Sequence, residues 1–132
     1  MTTTKQQTQS AQQVRLSSDT FHTAVAETLD QFTTWRLANL NQDLTDARVL
    51  DVGPGHGSIA HWLTTQMGPW GRVTALTSTP DLIPPHPQID TVEHDLASSH
   101  ALPKQTSWPF DLIHVRLALW QIPHRRQLLH RL

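Results

Sequence analysis

The sequence contains no cysteine among its 132 residues. A disulfide scaffold, a thiolate metal site and a cysteine nucleophile are therefore excluded. The sequence also lacks an excess of one charge, because ten Lys and Arg residues are balanced by eleven Asp and Glu residues, for a net charge of −1. This balance gives no support to nucleic-acid binding driven by phosphate charge, and we expect no nucleic-acid partner.

Long apolar runs are absent as well, since no stretch approaches the ~18 residues that a membrane-spanning helix requires. The segment from Met1 to Gln13 is rich in Thr and Gln, so it does not predict a secretory signal. We expect a cytoplasmic protein with no membrane partner. Residues 1–16 are predicted to be a disordered polar tail, because they bury too little apolar surface to offset the entropy of ordering. Residues 17–132 are predicted to form one domain.

The first element after this tail is a helix that is capped by Ser17 or Ser18 and ends near Asn41. Its predicted apolar stripe recurs at helical spacing and consists of Phe21, Ala24, Val25, Leu29, Phe32, Trp35 and Leu40.

Short apolar runs then alternate with helical segments. Strands are predicted at 48–52, 72–76, 89–93 and 110–115, a helix at 58–67, one turn near Asp81, and a final helix opened by Pro123. This order predicts an α/β, Rossmann-like fold with a mainly parallel sheet and flanking helices. The sheet is apparently truncated after its fourth strand, which leaves an exposed edge. Either the chain is the N-terminal part of a longer domain, or a partner such as a second copy of the chain covers that edge.

The most informative segment is a glycine-rich turn that follows the first predicted strand. Asp51 lies in the apolar run two residues before the first glycine, and Gly53, Gly55 and Gly57 follow at alternate positions before the helix. Glycine permits positive φ and close approach of a ligand to the backbone, and a helix start offers unpaired N–H groups. At the carboxyl end of a parallel sheet, this arrangement predicts a nucleotide site.

The spacing narrows the choice of nucleotide. A phosphate-binding P-loop would require a lysine that is missing here. The dinucleotide fingerprint G-x-G-x-x-G would require glycine where this chain has Ser58, although a nicotinamide-binding domain stays open as a third hypothesis. The acidic Asp51 suits an ammonium group better than a pyrophosphate.

The pattern of Asp51 followed by G-x-G-x-G resembles the first motif of the class I methyltransferases that use S-adenosylmethionine. Residues 29–37, 57–63 and 110–117 are similar to one small-molecule branch of that family, and the resemblance covers about residues 20–132. It implies S-adenosylmethionine as cofactor and methyl transfer to a small-molecule acceptor, by this chain or by the enzyme whose cofactor-binding part it is.

The resemblance also implies roles for particular residues. Asp51 and the backbone of Gly53–Gly57 would hold the methionine end of the cofactor. Asp95 would accept a hydrogen bond from the adenine amino group, with the backbone of Leu96 beside it. His114 to Arg116 would line the reaction side, and His114 is a candidate general base because an imidazole titrates in the range this role needs.

One departure from the family pattern lies at Thr77, where an acidic residue usually binds both ribose hydroxyls. A hydroxyl lacks two charged acceptor oxygens, so we expect weaker cofactor binding by about ten- to a hundred-fold. This departure and the missing strands motivate a second hypothesis, a non-catalytic family member that acts by association. No metal site is predicted, since none of the nine histidines forms a His-x-x-x-His pair.

Overall fold

Four parallel strands form one sheet among the residues that the computed structural model describes, which are 2–98, 101–119 and 122–132. The strands are β1 (Arg48–Val52), β2 (Arg72–Thr77), β3 (Ile89–Glu93) and β4 (Leu112–Val115), in the spatial order β3-β2-β1-β4. All three neighbouring pairs are parallel. The predicted Rossmann-like α/β fold is confirmed, with β2 one residue longer and β4 two residues shorter than predicted.

The helices are α1 (Thr2–Ala38), α2 (Ser58–Thr65) and α3 (Arg125–Arg131). Short 3₁₀ turns occupy Pro80–Leu82 and Lys104–Thr106, of which only the first was expected from the sequence. Helix α2 stops two residues before its predicted end, where the chain turns so that the N–H of Gly68 reaches the carbonyl of Thr45 at 2.8 Å.

Helix α1 begins much earlier than the sequence predicts. Its backbone is helical from Thr2, where a disordered tail was expected, so Ser17 and Ser18 lie inside the helix and the prediction that one of them caps it is wrong. The physical reason is local, because residues 2–38 contain no glycine or proline and include several good helix formers. The division into a tail of residues 1–16 and a domain of residues 17–132 remains a prediction.

The face that α1 turns toward the sheet also differs from the predicted stripe. Val25 and Leu29 are half-buried, as expected, but Phe32 and Trp35 keep 69% and 63% of their surface exposed. Phe21 and Leu40 are exposed too. The shielded row instead mixes apolar and polar residues at helical spacing: His22, Val25, Ala26, Leu29, Asp30, Thr33, Thr34 and Leu37. Polar contacts with the site, described below, decide this rotation of the helix.

The core lies on both faces of the sheet. Because successive strand residues point to opposite faces, β1 supplies Val49 to one layer and Leu50 to the other. The first layer packs under α2 and includes Leu63, which is fully buried. The second layer is closed by Leu132 at the end of α3 and by side chains of the loops around β4. Burial on both faces explains why β1 is almost entirely apolar between Val49 and Val52, apart from Asp51.

The strand order places a switch point beside β1. The chain runs from β1 outward through β2 to β3 and then returns to add β4 on the other side of β1. In open α/β sheets, ligands bind in the crevice at the carboxyl ends of the strands at such a switch point. Here the two strands that flank the crevice end in Asp51-Val52 and His114-Val115.

No helix in the described ranges is both long and apolar enough to cross a membrane.

Replacing Leu63 by Ala tests whether the layer beneath α2 supports the fold. Leu63 has no exposed surface, so the truncation should lower the free energy of unfolding by about 2–5 kcal/mol. Leu40→Ala is the matched control, because Leu40 is 52% exposed and should change stability by about 0.5 kcal/mol or less. Urea denaturation followed by circular dichroism measures both. Equal losses in the two variants would contradict this assignment of the core.

Candidate functional site

A cavity of about 520 Å³ opens at the carboxyl ends of β1 and β4. It is walled by the glycine loop, by the ends of β2 and β4, by the segment after β3 and by one face of α1. A cavity of this size is ordinary for a small-molecule or cofactor site. Of the residues that the sequence singles out, those in its wall are Asp51, Gly53, Gly55, Thr77, Asp95, Leu96, His114 and Arg116.

The central polar group of the cavity is the carboxylate of Asp51. Only 1% of this residue is exposed, since it sits on the innermost strand. Its Oδ1 atom lies 2.9 Å from Nδ1 of His114, its register partner on β4. Its Oδ2 atom is buried and accepts no hydrogen bond from any described residue. A buried carboxylate oxygen left in this state is costly, so the site favours a ligand that brings a donor.

The glycine loop requires glycine for two reasons, which are its backbone φ values and the closeness of neighbouring side chains. Gly53, Gly55 and Gly57 have φ values of +66°, +60° and +80°, a region that side chains other than glycine rarely adopt. A Cβ on Gly53 would lie 2.6 Å from Cβ of Ala118, and one on Gly55 would lie 2.7 Å from Nδ1 of His22. The three glycines are therefore required by close approach as well as by φ.

Gly57 has a different place from its two companions. It does not line the cavity, and it precedes α2 as a left-handed N-cap that offers no side chain. A Cβ there would lie 2.9 Å from the side chain of Ile83, behind the loop. Its backbone shapes the turn, with its N–H bonded to the Pro54 carbonyl at 2.9 Å. Contact between Gly57 and a cofactor remains a prediction.

Helix α1 forms a wall of the cavity that the sequence analysis missed. Phe21, His22 and Val25 line it, and the His22 ring lies 5.4 Å from the His56 ring across the glycine loop. The apolar stripe predicted for this helix indicates only that one of its faces packs against something. No local signal distinguishes a helix that covers a site from one that covers only a sheet. The position of α1 against the glycine loop depends on contacts between residues that are distant in the sequence.

Arg116 joins this wall to the end of β4. Its guanidinium donates to Oδ1 of Asp30 at 2.8 Å and to Oγ1 of Thr33 at 2.9 Å, both on α1. The pair is largely shielded, with 19% of the Arg116 side chain and 27% of the Asp30 side chain exposed. Arg116 lines the cavity, but its charge is compensated by Asp30, so the structure gives it a clear role in holding α1. A direct contact with cofactor or acceptor remains a prediction.

Thr77 lies at the end of β2 and is 3% exposed. Its Oγ1 atom accepts a hydrogen bond from the backbone N–H of Thr79 at 3.0 Å and lies 3.4 Å from the Thr79 hydroxyl. These contacts close a local turn and occupy a lone pair that a ribose hydroxyl would otherwise use. The wall beside Thr77 continues with Ser78 and Thr79 and carries no carboxylate at this strand end.

Asp95 and Leu96 lie in the segment after β3 and line the cavity together with the glycine loop. The side chain of Leu96 comes within 3.8 Å of the position that a Gly53 Cβ would take. Asp95 is exposed, and its Oδ1 atom accepts the N–H of Ala97 at 3.0 Å. This local turn fixes the carboxylate at the rim of the cavity, where its predicted contact with an adenine amino group remains to be tested.

The cavity wall contains histidine and aspartate side chains, which are residue types that can bind metals. No group of three His, Cys, Asp or Glu residues suited to a metal ion occurs in the described parts of the chain. His100, one of the nine histidines, lies outside the described residues.

Comparison with solved structures identifies the fold. An S-adenosylmethionine-dependent methyltransferase from Mesorhizobium loti superposes with a TM-score of 0.56 at 22% sequence identity. The match covers 73% of this chain and 45% of that chain. The two proteins share a fold. The chain thus spans less than half the length of this structural relative. No protein-family model and no curated protein sequence matches the chain.

Gly55→Ala tests the tight contact between the glycine loop and α1. Positive φ and the clash with His22 together should lower the free energy of unfolding by about 2–4 kcal/mol. Adding His22→Ala should recover the steric part and leave a residual loss of about 1–2 kcal/mol from φ. Urea unfolding of both single variants and the double variant separates the cost of the clash with His22 from the cost of positive φ. A loss that is the same with and without His22 would contradict the close contact.

Arg116 and Asp30 should be energetically coupled. In a double-mutant cycle with Arg116→Met and Asp30→Asn, the coupling energy should be about 1 kcal/mol, reduced by partial exposure of the pair. The control cycle pairs Arg116→Met with Asp46→Asn, an exposed carboxylate that shares no hydrogen bond with Arg116. Thermal or urea unfolding measures both cycles. Coupling as large in the control as in the Asp30 cycle would refute a specific link between β4 and α1.

Proposed function

We propose that this chain binds S-adenosylmethionine in the cavity and forms the cofactor-binding part of a methyltransferase that acts on a small molecule. The observation that carries the proposal is that Asp51 lines the cavity while its buried Oδ2 atom accepts no hydrogen bond from the described residues. The ammonium group on the methionine part of the cofactor would supply the missing donor and the opposite charge.

The residues present fit this cofactor at its methionine end. Asp51 offers the acceptor, and Gly53 and Gly55 line the same cavity with a backbone that carries no side chain. Asp95 and Leu96 line the same cavity and would contact the adenine. The shared fold with a methyltransferase supports the same assignment.

When bound, S-adenosylmethionine supplies a sulfonium methyl group for in-line displacement, with a neutral thioether as leaving group. Little covalent assistance is needed, so the contribution of the chain is to bind, orient and shield. Asp51 would fix one end, the glycine loop would set the approach, and α1 would exclude water. His114 would serve as general base only for an acceptor that must lose a proton.

A second candidate function, a non-catalytic family member that acts by association, is favoured by the geometry at Thr77. The Thr77 hydroxyl is already engaged by the Thr79 N–H and replaces two charged oxygens that would bind a ribose diol. The resulting affinity for the cofactor would be about ten- to a hundred-fold weaker than that of a site with an acidic residue there.

Calorimetric titration of S-adenosylhomocysteine into the folded chain tests the proposal. We expect saturable binding, abolished by Gly55→Arg, which fills the loop. Asp51→Asn should weaken binding about ten- to a hundred-fold, because it keeps the shape of the side chain and removes its charge. Asp46→Asn, the same change at an exposed carboxylate, should leave binding unchanged.

Two outcomes would overturn the proposal. Absence of binding by a chain that circular dichroism shows to be folded would leave the non-catalytic hypothesis. Tighter binding of NAD than of S-adenosylhomocysteine would instead favour a nicotinamide-binding domain.

A further inference from the structure

The contact between Asp51 and His114 affects which ligands the cavity binds and how their binding depends on pH. We infer that His114 is a positioning residue that holds the Asp51 carboxylate ready for a cationic group and makes the binding of that group depend on pH. The inference rests on the proposed function, because it concerns the same end of the cavity.

The donor in this contact follows from the charged form of Asp51 that the proposed function requires. An ionised carboxylate can only accept hydrogen bonds, so Nδ1 of His114 donates to Oδ1 of Asp51 across 2.9 Å. Both side chains are shielded, with 12% of His114 and 2% of Asp51 exposed. Because Oδ2 accepts nothing from the described residues, this contact is the support that the structure gives to the charged form of Asp51.

The same contact turns the carboxylate in one direction. Oδ1 is engaged by His114 on β4 and Asp51 is part of the cavity wall, so Oδ2, which has no partner among the described residues, is the oxygen left for a ligand. A ligand ammonium would therefore meet an oxygen whose orientation is set before binding, which reduces the entropy lost on binding. A side chain at position 114 without a donor would leave a buried carboxylate with no described donor, and such a group tends to take up a proton.

Protonation of His114 would act against a cationic ligand. Neutral His114 leaves the pair with one negative charge, whereas an imidazolium makes the pair neutral and places a positive charge beside the ligand ammonium. Binding of a proton to His114 and binding of a cationic ligand beside it would then compete, so a lower pH should weaken the affinity for that ligand.

Other titratable groups share this environment and must be separated from His114. They are His22 and Asp30 on α1, His56 in the glycine loop, Asp95 after β3 and Arg116 directly after β4. Asn at position 114 provides the separation, because its amide can donate to Oδ1 from nearly the place of Nδ1 and carries no titratable proton.

The experiment compares two ligands by calorimetry at about pH 5.5 and about pH 8. S-adenosylhomocysteine carries the ammonium group, and 5′-methylthioadenosine is a related nucleoside thioether that lacks the amino acid part. For the unmodified chain, the first ligand should bind about three- to tenfold more weakly at the lower pH, and the second should bind equally at both.

Three variants identify His114 as the source. His114→Asn should bind S-adenosylhomocysteine like the unmodified chain at pH 8 and should lose the dependence on pH. His114→Leu should weaken that ligand about tenfold or more at pH 8 without weakening 5′-methylthioadenosine. The control, His130→Asn, changes an exposed histidine of α3 and should keep the original pH dependence.

The results separate this inference from the proposed function. If the folded chain binds neither ligand, both fall. If it binds S-adenosylhomocysteine with no pH dependence, or with a dependence that His114→Asn retains, the role of His114 is refuted and the proposed function stands. Equal weakening of both ligands by His114→Leu would show a purely structural role. If His114→Leu does not fold, the His114→Asn profile decides alone.

Discussion

The burial of one carboxylate on the central strand is the constraint on which the site depends. Asp51 lies in β1, between β2 and β4, where apolar side chains fill both layers around it. Placing an ionised group there is costly unless it is paired and hydrogen-bonded. The neighbouring strand meets half of this requirement through His114, and Oδ2 leaves the other half to a ligand. This incomplete pairing is the feature on which the proposed cofactor site rests.

The rest of the site follows from access to this carboxylate. The chain must turn away from β1 without covering it, which the glycine loop does by using positive φ and by omitting Cβ atoms where Ala118 and His22 come close. Helix α1 then closes the cavity from the side and is held there by Arg116, whose guanidinium binds Asp30 and Thr33. Arg116 connects α1 to the end of β4, and its charge is compensated by Asp30. The charge of the cavity is therefore dominated by the carboxylate of Asp51, with that of Asp95 at the rim.

Sequence patterns predicted the strands of the sheet correctly and the packed face of α1 incorrectly. All four strands occur within two residues of their predicted limits. The strands and the glycine loop could be predicted because they are short and their conformation depends on neighbouring residues in the chain. The stripe of α1 was misassigned because Phe32 and Trp35 are apolar at helical spacing yet face outward. The helix is instead rotated so that His22, Asp30 and Thr33 meet the glycine loop and Arg116. Periodicity alone does not reveal which of two overlapping faces has polar partners elsewhere in the chain.

What the sequence alone determined is therefore the Rossmann-like α/β fold, the turn built on Gly53, Gly55 and Gly57, and the acidic residue that precedes it. These features depend on neighbours in the chain, because periodicity and positive φ are local properties. Tertiary structure decided the pairing of Asp51 with His114, 63 residues later, and that of Asp30 with Arg116, 86 residues later. Such contacts depend on strand order and helix rotation, which are fixed only when the layers pack against one another.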